Sequence, residues 1–165
     1  MVKKNWYDFY QQGLQKEDEF AKLLVEQCGG EIKHSTRSED INYHVDLIWT
    51  IEGKDVYFDV KGLRKANRSD TNYDDSIHWV EIQNVKGKEG WLYGRAHYIA
   101  FELNNEWLIV KRVDILKLID EKVSDKTIKT SKELYTYYQR KGREDIIIKV
   151  LSADLKRIAV KVLSQ

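Results

Sequence analysis

Two β-rich runs, 44–51 and 55–63, flank Glu52-Gly53-Lys54, and this segment constrains the fold more than any other part of the chain. A glycine between two alternating runs reads as a hairpin turn. Antiparallel strands that leave and return to one turn pair residues whose numbers have a constant sum. A turn centred on residues 52 and 53 therefore makes Asp46 and Asp59 near cross-strand neighbours. Lys61 stands two residues after Asp59, so its side chain leaves the same strand face, one step farther along. An acid followed two residues later by Lys occurs five times in this chain, and only the Asp59 and Lys61 pair combines a strand, a partner acid and a preceding helix. A solvated polar face is the alternative reading. It fits poorly, because Val56, Phe58 and Val60 alternate with Tyr57, Asp59 and Lys61, and because Asp46 interrupts an otherwise apolar run at 45–49.

The rest of the chain supplies a frame for that hairpin. Tyr10, Leu14, Ala21, Leu24 and Cys28 recur at helical spacing, which predicts a helix over 6–28 ended by Gly29-Gly30. Strands are predicted at 31–35, 77–85, 98–103, 107–111 and 146–151, and a second helix at 113–123. Ser152-Ala153-Asp154 reads as the cap of a last helix ending near residue 163. This order predicts an α/β chain with an N-terminal helix and a mixed central sheet flanked by helices, built as one domain over 1–165. At 165 residues and 42% hydrophobic, the chain can bury a core and is too apolar for intrinsic disorder. No apolar run reaches membrane-spanning length, which predicts a soluble protein with no membrane partner. A single cysteine and an N-terminus without signal-peptide character predict a cytoplasmic location.

Paired carboxylates with an adjacent lysine suit one chemistry in particular. Hard divalent cations such as Mg²⁺ take carboxylate oxygens plus waters and phosphate oxygens, and a lysine ammonium can orient an attacking water or stabilise charge on phosphorus. The helix, the acid at Asp46 and the Asp59-Val60-Lys61 segment together resemble the PD-(D/E)XK nuclease superfamily, over roughly residues 6–112. The resemblance implies a restriction-endonuclease-like fold and metal-dependent hydrolysis of DNA, with Asp46 and Asp59 holding Mg²⁺ or Mn²⁺ and the Val60 carbonyl as a further ligand. It implies that Lys61 assists water attack and that an acid of the first helix joins the metal site. Of Glu17, Asp18 and Glu19, Glu17 shares the apolar stripe and is the first choice, with Glu19 second. The chain departs from the superfamily pattern in having Val45 before the first acid and Asp rather than Glu at 59. The stretch at 79–102 is similar to later strands of small phage and mobile-element nucleases.

Charge divides unevenly along the chain. Residues 126–165 hold 10 Lys and Arg against 4 Asp and Glu, whereas residues 1–125 hold 18 against 23. A polyanion would prefer the C-terminal part, or would find there only a solvated basic surface. Arg64, Lys65 and Arg68 follow the proposed lysine in a polar loop suited to backbone phosphates. Arg140, Lys141 and Arg143 lie among Tyr135, Tyr137 and Tyr138, a mixture suited to phosphate pairing and base stacking, although the tyrosines could equally pack on the core. The four histidines lack HxH or HExxH spacing, and no phosphate-binding glycine loop is present, so zinc hydrolases and NTPases are disfavoured. Cutting both strands with one small domain would favour a homodimer. The competing function is a non-catalytic module that keeps this fold to bind nucleic acid or protein.

Overall fold

A computed structural model describes residues 6–63 and 73–165, with side chains from Tyr10 onward. Helix α1 (Trp6–Cys28) leads into strand β1 (Glu31–His34), helix α2 (Arg37–Tyr43) and the hairpin β2 (Leu47–Ile51) and β3 (Lys54–Lys61). Then come β4 (Ile77–Gln83), a 3₁₀ turn (Trp91–Tyr93), β5 (Tyr98–Glu102), β6 (Glu106–Lys111) and α3 (Arg112–Lys122). The chain closes with β7 (Ile146–Leu151), α4 (Ser152–Ile158) and β8 (Lys161–Ser164). Six strands form one sheet in the order β1-β2-β3-β5-β6-β8. β3 and β5 run parallel and every other neighbour in it runs antiparallel, so the sheet is mixed and the class is α/β.

The hairpin closes through a two-residue turn. Glu52 and Gly53 both take positive φ, 51° and 76°, which is the type I′ geometry that matches strand twist. Glycine adopts that angle without cost, and Glu52 is the strained member. Leu47 pairs with Phe58 and Ile51 with Lys54, so the constant-sum register holds along the ladder and β3 begins at Lys54.

The sheet separates two cores. On one face, Phe20 and Leu24 of α1 pack with Leu47, Phe58, Ala100, Trp107, Ile109 and Leu163. Phe20 is the centre of that contact, with ring centroids 5.3 Å from Phe58 and 5.2 Å from Trp107, whereas Tyr10 is exposed. The buried face of α1 thus runs through Phe20 and Leu24, with Glu17 one turn earlier on the same side. The opposite face carries Ile99, Phe101, Leu108 and Val110, covered by α3, α4 and the β4 and β7 pair. β4 and β7 form a separate two-stranded antiparallel sheet. Val80, Ile148 and Val150 are fully buried there, which is why those runs read as core strands.

Three parts differ from the sequence reading. Helix α2 is unanticipated, though its signal is present: Thr36 and Glu39 form a reciprocal capping box, and His44 closes the helix in the left-handed region. The last helix stops at Ile158, because residues 161–164 pair with β6 and bury Leu163 against the first core. Ser152 does not cap that helix; it lies in the first turn, and its buried Oγ has no hydrogen-bond partner among the described residues.

Candidate active site

The site forms where β2 begins and β3 ends, with α1 and α2 closing over that corner. Asp46 immediately precedes β2. Its backbone N–H donates to the Phe58 carbonyl at 2.8 Å, and its Oδ2 accepts the Val60 N–H at 2.7 Å. The ladder itself ends at Leu47 and Phe58, one residue short of the predicted aspartate pair, and the clamp leaves Asp46 in side-chain contact with Asp59. Asp59 is 2% exposed, and its Oδ1 pairs with Lys61 Nζ at 2.8 Å. Its Oδ2 is buried and receives no N–H or O–H from the described residues. The Lys61 ammonium also lies 5.0 Å from the centroid of the buried Trp91 ring, a cation–π contact. Val60 pairs with Ala100, and its side chain packs on the α1 core.

Two helices add acids to this pair. Glu17 of α1 has a side chain only 16% exposed, and His34 Nδ1 lies 3.2 Å from its Oε2. His34 is therefore a polar partner that the sequence did not suggest; its pairing with Leu47 brings β1 beside Asp46. Asp40 of α2 makes side-chain contact with Asp46. Glu19 points elsewhere, to Lys16 at 3.2 Å, and Lys16 in turn pairs with the buried Glu102 at 2.8 Å. Of the two helix candidates, Glu17 stands with the aspartates.

Four carboxylates share this corner with one lysine, and their proton affinities reflect it. Burial, followed by the charges of Asp46, Asp40 and Asp59, pushes Glu17 up to about 8. Burial and then the Asp59 charge push Asp46 up to about 7, against the opposing pull of Lys61 and the Val60 N–H. Burial and Asp46 push Asp40 up to about 6. Asp59 is also raised, above all by burial, although Lys61 opposes the shift. Glu17 and Asp46 hold protons near neutral pH because a buried, like-charged group cannot ionise fully without a counter-ion. Among the described residues, no group of three or more His, Cys, Asp or Glu side chains is arranged to hold a metal ion as it stands. The carboxylates meet pairwise, and the donor set, hard oxygens with one buried oxygen lacking a donor, fits a hard divalent cation.

The other predicted contacts lie elsewhere. Arg64, Lys65 and Arg68 fall outside the described residues. Arg140 binds the buried Asp145 at 2.5 Å, while Lys141 and Arg143 are exposed on the following turn. The tyrosines near them serve the fold: Tyr138 is buried, Tyr135 and Tyr137 pack on the second core, and the Tyr135 hydroxyl donates to Asp154. Gln83 donates to the Glu144 carbonyl at 2.7 Å. Asp40, His34 and Trp91 are the site residues that sequence reasoning missed. Only Asp40 had a usable signal, the capping box that starts its helix.

With this geometry in hand, comparison with known proteins found no match among protein families, curated proteins or solved structures. Among the described residues, no helix is long and apolar enough to cross a membrane.

Proposed function

We propose that this chain is a metal-dependent nuclease of the PD-(D/E)XK type, with a restriction-endonuclease-like fold, that hydrolyses phosphodiester bonds in DNA. The observation that carries this reading is the buried Asp59 oxygen with no donor on it, beside Asp46 and next to the Lys61 ammonium. The helix followed by a mixed sheet, with these residues at the corner of a hairpin, agrees with it. Asp46, Asp59 and Glu17 would hold Mg²⁺ or Mn²⁺, with the Val60 carbonyl as a further ligand. A bound divalent cation supplies Lewis acidity toward a phosphoryl oxygen and lowers the pKa of a bound water. The remaining work belongs to the chain. The Val60 N–H fixes the Asp46 carboxylate, and Asp59 and Trp91 both contact the Lys61 ammonium. A positive charge so placed orients a water for in-line attack and stabilises charge developing on the phosphate. Two copies acting together would cut both strands.

The test is cleavage of supercoiled, linear and branched DNA in Mg²⁺, Mn²⁺ or EDTA. Wild type should cut only with metal, and Asp59→Ala and Lys61→Ala should each lose activity by on the order of 10²-fold or more. Failure of the wild type to cut any of these substrates, with DNA binding unaffected by metal, would replace this reading with a non-catalytic binding module.

A further inference from the structure

We propose that Arg95, stacked on Tyr43, is a phosphate-binding residue that receives the backbone of a nucleic-acid strand at the edge of the acid corner. The inference rests on the nuclease reading and assigns a contact that the sequence did not suggest. A cluster of carboxylates repels a polyanion, so a strand that reaches it needs a nearby positive charge not already neutralised. Lys61 is paired with Asp59 and assigned to the reacting phosphate, so it does not supply a separate contact for the rest of the strand.

Arg95 meets the requirement. Its guanidinium carbon lies 4.2 Å from the centroid of the Tyr43 ring, and both residues are exposed. Among the described residues, Arg95 makes no ion pair. Stacking covers one face of the guanidinium and leaves its edge N–H groups in plane, the geometry that grips a phosphate. The site is held by backbone rather than by long side chains. The Arg95 N–H donates to the Tyr43 carbonyl at 2.8 Å. A Cβ on the preceding Gly94 would come 2.8 Å from that carbonyl and 2.9 Å from His44 Cβ, so only glycine permits the close approach.

Position relative to the acids follows from two independent contacts. Tyr43 stands three residues after Asp40 on α2, a spacing that makes side chains neighbours on a helix, and Asp40 touches Asp46. The same loop lays His97 on Tyr57, ring centroids 5.0 Å apart and nearly parallel. Tyr57 precedes Asp59 by two residues on β3 and so shares its strand face. The loop carrying Arg95 therefore bridges α2 and β3 beside the site.

The experiment measures binding of a fluorescein-labelled DNA duplex to the full chain by anisotropy, in EDTA so that nothing is cut, across a sodium chloride series. Cleavage in Mn²⁺ is followed in parallel. Arg95→Ala and Arg95→Gln should each weaken binding about tenfold and reduce the slope of log affinity against log salt by about one. Tyr43→Leu keeps the charge, so it should weaken binding less and leave the slope unchanged. Melting curves check that each variant is folded, and two substitutions at 95 guard against failure of either one. Wild-type affinity and slope in both Arg95 variants, with wild-type binding and cleavage intact, would overturn this assignment and leave the nuclease reading standing. A wild type that neither binds nor cuts DNA would overturn both.

Discussion

Asp59 and Asp145 are buried to a similar degree, and each has one oxygen paired with a cation and the other without a hydrogen-bond partner among the described residues. Their surroundings differ. Asp145 meets Arg140 on a loop whose other charges, Lys141, Arg143 and Glu144, are exposed. Asp59 meets Lys61 where Asp46, Asp40 and Glu17 also converge. One cation matches one acid in the first case, so the pair ties a loop to the second sheet. In the second case four acids face one lysine, and the fold keeps a surplus of carboxyl groups that stability alone does not call for. A buried ion pair is thus weak evidence for function, whereas a buried pair crowded by further like charges is stronger evidence.

The contrast can be broken most sharply by exchanging one acid for its amide at each place. Asp46→Asn should lower metal-dependent cleavage by on the order of 10²-fold or more. It should also raise the melting temperature in EDTA at pH 8, because an amide still accepts the Val60 N–H while the crowding falls. Asp145→Asn should do the reverse, costing about 2 kcal/mol of stability with cleavage retained. Denaturant melts and a plasmid assay on both variants decide it; a destabilised Asp46→Asn protein would remove the distinction.

A smaller effect should appear in the pH dependence of the metal-free protein. Glu17, Asp46 and Asp40 hold protons in the folded state up to about 8, 7 and 6, whereas the unfolded chain releases them near the ordinary carboxylate values. The native state therefore binds more protons than the unfolded one through this window. Their contribution to stability is full below about pH 4 and is lost as pH rises through 6 to 8. Melting temperatures in EDTA should fall between pH 5.5 and 8.5, and Mn²⁺ should narrow the gap by neutralising the ionised corner. A gap unaffected by Mn²⁺ would contradict a cation site there.

Loss of the capping box ranks lower. Thr36→Ala should cost about 1 kcal/mol, and because α2 carries Asp40, which contacts the proposed ligand Asp46, it should weaken metal binding more than its effect on stability suggests. Isothermal titration with Mn²⁺ would measure this. The smallest effects belong to the exposed basic turn, where Lys141→Ala and Arg143→Ala should each change stability by less than about 0.5 kcal/mol. A larger loss would mean that these side chains do more for the fold than their exposure indicates.

Much of this arrangement was legible in the residues alone. Strand alternation and a glycine at position 53 were enough to bring Asp46 near Asp59, because a turn centred on residues 52 and 53 fixes the sum of paired residues. Helical spacing likewise bounded α1 and put Glu17 on its inner side, although the centre of packing at Phe20 emerged only against Phe58 and Trp107. Local chemistry announced α2 through Thr36 and Glu39, a signal that a search for apolar periodicity passes over in a seven-residue helix with no buried residue. Composition left Tyr135, Tyr137 and Tyr138 open between base stacking and core packing, and their rings complete a core.

Other features depended on the tertiary structure, because they join residues distant in sequence. No local pattern brings His34 to Glu17, Trp91 to Lys61 or Arg95 to Tyr43, since these contacts depend on which strands become neighbours. The assignment of β4 and β7 to their own sheet, and of residues 161–164 to the edge beside β6, had the same origin. Alternation and turn chemistry act over a few residues, so the sequence by itself determined the hairpin and the pair of aspartates within it. Burial and like-charge crowding act between whole elements, so only the packing of α1 beside that hairpin and the approach of Asp40 to Asp46 decided how many acids the corner holds.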